Sequence, residues 1–260
     1  MTKNFKFLAK FQKLQNEVEY DRLLQFSFAT LTYTQSNPSS FQNYALVEKT
    51  LTLGEITKIE KTFASLSRTP AIYFENTPEL VDGFINITGN KYEKKWEDSW
   101  MFFNPVIEID NTRFSQVKKV SSENELGIFL STFDACYQKG DPQNPYGEVK
   151  EYIINCKKAW MKFGKTDRLQ YFLIYDQNRP VATSVLNTFE SVGYISAVGS
   201  LKDVRGKGFG KLATLYAVSQ SQANGNTEHS LATEEGTYPN EFYKGIGFST
   251  RFTALGYCKI

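Results

Sequence analysis

The chain has 260 residues, 41% hydrophobic and 22% charged, a composition that fills a core and excludes a disordered or fibrous chain. No run approaches the roughly 20 uninterrupted apolar residues of a membrane helix, and Lys6, Lys10 and Lys13 interrupt the N-terminal apolar residues, so neither a membrane span nor a signal-peptide core is expected. Cys136, Cys156 and Cys258 form no C-x-x-C spacing. They argue against a disulfide scaffold or a zinc site and suit a cytoplasmic protein. The net charge of +2 is too small for a nucleic-acid-coating protein.

In chain order, Phe7, Phe11, Leu14 and Val18 fall on one helical face, and residues 35–40 (Gln-Ser-Asn-Pro-Ser-Ser) compose a loop. A short strand is expected over 43–47, followed by a helix with its stripe at Ile56, Ile59, Phe63 and Leu66. Another strand over 71–74 leads to a helix capped by Thr77, with Pro78 at its first position and Leu80, Val81, Phe84 and Ile85 on its apolar face. A strand over 96–103 closes this β-α-β-α-β order. The pattern restarts after a boundary over 104–111, which divides the chain into domains 1–110 and 111–260. The second domain reads as a strand over 114–120, helices over 123–137 and 149–163, and a hairpin of strands over 171–175 and 180–188. A strand over 192–198, a helix from Phe209 to about Ala223, a strand over 229–233, a short helix over 240–245 and closing strand structure after Phe248 follow. The fold class expected is α/β with a mixed sheet.

The informative string is Val204-Arg-Gly-Lys-Gly-Phe-Gly-Lys211, between a strand and a helix. It is not a P-loop, because Leu212 follows Gly210-Lys211. Nor is it a dinucleotide turn, because Gly206, Gly208 and Gly210 alternate as G-x-G-x-G. Arg205, Gly208 and Gly210 do satisfy R-x-x-G-x-G. Glycines let backbone N–H groups turn toward a ligand, and the helix from Phe209 adds the positive end of its dipole, which together favour a pyrophosphate. Lys207 and Lys211 stand at the rim. Charge agrees: residues 113–260 carry a net +4 against −2 for residues 1–112, and Lys202, Arg205, Lys207 and Lys211 fall within ten positions with only Asp203 opposing them.

This string, followed by a helix, a strand and Tyr243-Lys-Gly-Ile-Gly-Phe248, resembles the GCN5-related N-acetyltransferase (GNAT) superfamily over about residues 113–260. The first hundred residues look like the degenerate half-domain of two-domain members; after residues 43–47 only Gly54 precedes Glu55, which makes no phosphate cradle. The resemblance implies that acetyl-CoA lies along residues 192–200 with its pyrophosphate on Arg205, Gly206, Lys207, Gly208, Phe209, Gly210 and Lys211. It places the pantetheine against the main chain of Val198, Gly199 and Ser200. A strand N–H then polarises the thioester carbonyl, an amine attacks directly, and Tyr243 is the general acid toward the departing thiolate. The bland alternative for Tyr243 is a packing tyrosine.

The general base stays open among Glu190, Glu234 and Glu235. His229, the only histidine, reads as a strand residue facing its neighbours, and Cys156 and Cys258 as packing residues. Where members of the superfamily carry a pantetheine-gripping Asn, this chain has Gly236, with Asn240 nearby. The loop 140–147 is expected to border the acceptor cleft, with Asp141 and Tyr146 able to meet a cationic amine. The expected protein is a cytoplasmic acyltransferase with a small-molecule or peptide amine as acceptor, without metal, nucleic acid or membrane. Its N-terminal half walls the cleft or forms a homodimer surface. The runner-up is a non-catalytic CoA-binding or sensory protein.

Overall fold

The computed structural model describes residues 2–141, 144 and 149–260. Seven α-helices alternate with eleven strands among them, an α/β chain with parallel and antiparallel pairings. The backbone divides into two compact units. One comprises Met1–Trp100, Ala232–Asn240 and Thr250–Ile260, the other Met101–Leu231 and Glu241–Ser249. Where the sequence offers a single boundary over 104–111, the backbone leaves the first unit after Trp100 and later returns to it twice.

In the first unit, α1 (Lys3–Gln15) starts where the Thr2 side chain accepts the Phe5 N–H, and it buries Phe7, Leu8, Phe11 and Leu14. Its successors β1 (Arg22–Gln25) and β2 (Thr30–Tyr33) form an antiparallel hairpin that sequence reading passes over. The connecting Phe26-Ser-Phe-Ala29 contains none of the Gly, Pro, Asn or Asp residues that mark turns. β3 (Ala45–Leu46) lies parallel to β4 (Ala71–Glu75), with α2 (Leu53–Ser65) as the crossover. A capping box closes the first turn of α2: Thr52 Oγ1 accepts the Glu55 N–H, and the Glu55 carboxylate accepts the Thr52 N–H. Side chains thus occupy the helix start that an anion would need.

Thr77 caps α3 (Pro78–Thr88), with Pro78 in its first turn. Phe84 is buried there, whereas Ile85 is 45% exposed, because Phe84 and Thr88 set the inner face. β11 (Phe248–Lys259) runs antiparallel to β4 from Ala254↔Glu75 to Cys258↔Ala71. Ile59, Phe63, Ile72, Phe74 and Leu255 make the core of this unit.

In the second unit the strand expected over 114–120 splits. Residues 114–116 form a 3-10 turn, whose Phe114 ring meets Tyr216 edge-on at 4.9 Å, and only Val117–Lys119 is strand, β6. β6, β7 (Leu169–Asp176), β8 (Arg179–Phe189) and β9 (Val192–Ser200) pair antiparallel in sequence order. Parallel to β9 runs the start of β10 (Glu228–Glu234). α4 (Glu123–Cys136), α5 (Lys150–Phe163) and α6 (Phe209–Ala223) supply the helices, and residues from Glu241 onward add the end of α7 (Tyr238–Lys244). Phe172, Leu186, Ile195, Ala217 and Val218 form one core cluster. Ile174, Val181, Phe209 and Ala213 form a second, directly under the start of α6.

Candidate active site

β9 is irregular at one point. On β8, Thr183 opposes Gly199 and Val185 opposes Ser196, so Ala197 and Val198 together face the single Ser184. This is a β-bulge, and Ala197 takes the left-handed conformation at φ 50°. Parallel pairing with β10 ends at Ser230↔Tyr194, before the bulge is reached. Val198, Gly199 and Ser200 therefore lie at and just after a break in the ladder. The end of α4 presses on this break. Tyr137 donates its hydroxyl proton to the Val198 carbonyl at 2.6 Å. A Cβ on Gly199 would lie 2.7 Å from Cys136 Cβ and 2.8 Å from the Tyr137 ring, so only glycine fits there.

A 3-10 turn at Lys202–Val204 then delivers the chain to the glycines. Gly206 and Gly208 are left-handed, at φ 79° and 83°. A Cβ on Gly206 would meet nothing within 4 Å, and one on Gly208 only Arg113 Nη1 at 3.4 Å. The first turn of α6 has no capping side chain and no acidic residue, and its first backbone bond runs from the Leu212 N–H to the Gly208 carbonyl at 3.0 Å. The preceding N–H groups of that turn have no intrahelical acceptor. An open backbone cradle at the positive end of a fifteen-residue helix fits a pyrophosphate. Phe209 anchors it by burial in the cluster beneath, and a Cβ on Gly210 would make ordinary contact with Phe242 at 3.5 Å.

Arg205 sends its guanidinium elsewhere. Nη1 and Nη2 donate to Asp141 Oδ1 and Oδ2 at 2.8 and 2.7 Å, with the two side chains 18% and 7% exposed. The Asp141 carboxylate, expected to meet an amine, is thereby held by an arginine of the glycine loop; Tyr146 lies outside the described residues. A different arginine, silent in sequence reading, lies on the loop itself. Arg113 donates from Nη1 to the Lys207 carbonyl at 3.2 Å and from Nε to Gln116 Oε1 at 2.8 Å, and its guanidinium sits 4.8 Å above the Phe209 ring.

Tyr243 is 9% exposed, and its ring meets Phe242 and Phe248 edge-on at 5.1 and 5.8 Å within the apolar cluster. Its neighbour Phe242 stands beside the start of α6, where a Cβ on Gly210 would meet its ring at 3.5 Å. Asn240 is fully buried, and its amide donates to Thr233 Oγ1 at 3.0 Å and to Glu235 at 3.4 Å, which braces the turn that follows β10. Glu190 occupies the tight turn that opens β9, five strand residues before the bulge, and is remote from the break. His229 Nδ1 is 2.8 Å from Ser221 Oγ, and burial lowers its pKa. All three cysteines are buried, and burial pushes the Cys136 thiol up to about 12, outweighing the pull of Arg205, which disfavours its reactive thiolate. No cluster of metal-ligating side chains occurs among the described residues.

The first unit holds a polar constellation that no motif announced. Burial raises the Glu19 carboxyl to about 7 against a hydrogen bond from Gln42, with Asp98 adding repulsion. Burial likewise raises Asp98 to about 6, against hydrogen bonds from Tyr73 and Trp96, with the charges of Glu234 and Glu97 adding to the rise. The Tyr73 hydroxyl donates to Asp98 at 2.7 Å and accepts the Trp100 indole N–H at 2.8 Å.

The sequence profile of the acetyltransferase (GNAT) family matches residues 129–248. No protein of curated function matches the sequence. Solved structures do match in shape. A GCN5-related N-acetyltransferase from Kribbella flavida superposes with a TM-score of 0.68 at 19% identity, over 100% of this chain and 96% of that one. A functionally unknown conserved protein from Staphylococcus epidermidis gives 0.64 at 15% identity, over 93% and 94%. An acetyltransferase from the GNAT family of Colwellia psychrerythraea gives 0.54 at 10% identity, over 90% and 81%. At these identities the likeness is one of fold. Residues 129–248 thus carry the profile of the acetyltransferase (GNAT) family, and the whole chain shares the fold of a GCN5-related N-acetyltransferase.

Proposed function

We propose that the protein transfers an acetyl group from acetyl-CoA to a primary amine by direct attack. The observation that carries this reading is the open, uncapped start of α6 behind left-handed Gly206 and Gly208, reached from a bulged β9. In this reading Arg205, Gly206, Lys207, Gly208, Phe209, Gly210 and Lys211 form the pyrophosphate loop. Backbone N–H groups of the loop receive the phosphates, while Lys207 and Lys211 screen charge at the rim. Main-chain groups of Val198, Gly199 and Ser200 hold the pantetheine, and a bulge N–H polarises the thioester carbonyl. The amine nitrogen forms the new C–N bond as the C–S bond breaks. Tyr243 gives its hydroxyl proton to the leaving thiolate, and the proton lost by the amine passes to water.

A second reading is favoured by the near-complete burial of the Tyr243 ring: solvent protonates the thiolate and Tyr243 only packs. One set of measurements decides between them. Calorimetric titration with acetyl-CoA is expected to show micromolar binding, about −8 kcal/mol, that Gly208→Glu abolishes by placing a carboxylate in the cradle. With the amine of a panel turned over fastest, Tyr243→Phe is expected to lower kcat about a hundredfold with an unchanged Kd. Retained turnover assigns the packing role. If wild type fails to bind, the donor site itself is overturned.

A further inference from the structure

We propose that Arg113, outside the glycine motif and outside the matched family segment, is the side-chain cation that binds a phosphate of the acyl donor. The proposal rests on the donor-site reading above. The loop supplies N–H donors from its backbone, but its own arginine is committed: both terminal nitrogens of Arg205 lie on Asp141, which neutralises that charge within the protein. Arg179, nearby in sequence to no motif, is likewise paired, with Asp203 at 2.6 Å. Arg113 differs. Its Nε and one Nη1 proton are used on Gln116 and Lys207, which fixes the guanidinium plane, and among the described residues Nη2 makes no hydrogen bond and no carboxylate lies within ion-pairing distance. Of the five N–H donors of a guanidinium, three remain.

Those donors are aimed by three independent restraints. The Lys207 carbonyl ties the group to the loop between the two left-handed glycines, the Gln116 side chain accepts from Nε, and the Phe209 ring holds the guanidinium by cation–π contact at 4.8 Å. A Cβ on Gly208 would meet Nη1 at 3.4 Å, so the guanidinium stands beside this glycine, and Arg113 itself immediately precedes the 3-10 turn at residues 114–116. A planar fork with free donors beside an uncapped helix start is suited to phosphate oxygens, which it meets by charge-assisted hydrogen bonds.

The test is a titration of wild type, Arg113→Met and Arg113→Lys with CoA, dephospho-CoA and 4′-phosphopantetheine at two salt concentrations, with Tm measured for each. Methionine keeps an apolar stem over Phe209. It is expected to weaken CoA binding about tenfold and to reduce the salt dependence of Kd. Lysine is expected to lose two- to threefold and to keep the salt dependence. If the loss disappears with dephospho-CoA, the partner is the 3′-phosphate; if it persists there, the partner is the diphosphate, and either result supports the assignment. Unchanged CoA affinity in Arg113→Met overturns it while leaving the donor site standing. Equal weakening of all three ligands with unaltered salt dependence also overturns it, since that marks a loop brace. Failure of wild type to bind CoA removes the donor site rather than Arg113 alone.

Discussion

The carboxyls of Glu19 and Asp98 hold protons more tightly in the folded chain than in the unfolded one, where they titrate near 4.5 and 3.8; folded, they titrate near 7 and 6. Between about pH 4 and 7 the folded state therefore binds more protons, and stability falls as pH rises through that window. Their contribution is complete below the unfolded values and lost above the folded ones. Asp98→Asn keeps an acceptor for the Tyr73 hydroxyl but has no charge to bury. Its Tm is expected to fall less between pH 5 and 8 than that of wild type, with about 2–4 °C for each kcal/mol relieved. An equal slope in both proteins contradicts the assignment. Such groups leave little trace in a sequence, because their character comes from distant partners: Tyr73 is 25 residues from Asp98, and Lys207 is 94 from Arg113. Gly206 and Gly208 were legible because backbone conformation is a local property of glycine. The pairing of Arg205 with Asp141 was not, since a charged residue in a motif carries no sign of which charge it faces.

Elements with strong local signals were readable to within a few residues. α6 begins at Phe209 and ends before Asn224-Gly225, with Gly225 left-handed at φ 78°. The hairpin of β7 and β8 closes at Asp176↔Arg179 across Gln177 and Asn178. The bulge in β9 escaped notice because Ala197 takes its left-handed φ without the glycine that usually advertises one. Its neighbour Gly199 is the better handle. Gly199→Ala places a methyl 2.7 Å from Cys136 Cβ, so α4 or β9 must shift. That substitution is expected to cost about 1–3 kcal/mol in urea unfolding and to weaken acetyl-CoA binding by moving the Val198–Ser200 main chain. A stable variant with normal affinity shows that the close approach of α4 to β9 is dispensable.

For the whole molecule, the division into units follows packing rather than sequence order. A cut at residue 110 removes β4, along which β11 buries Ala254 and Leu255. A fragment of residues 111–260, though it contains the entire matched segment, is expected to give no single cooperative transition in calorimetry; a sharp transition shows that the last strand folds without β4. The restart of the α/β pattern carries no sign that the C-terminal segments return to the first unit, because strand partners of high sequence separation leave no local periodicity. β6, at the end of the strand order, is only Val117-Lys-Lys119, and Lys118 and Lys119 pair with Glu125 and Asp167 at 2.7 and 3.7 Å. A neighbouring molecule that tried to add a strand there would find three residues of ladder and two lysines to desolvate. The terminal strand thus offers little ladder for edge-to-edge pairing at this side of the sheet.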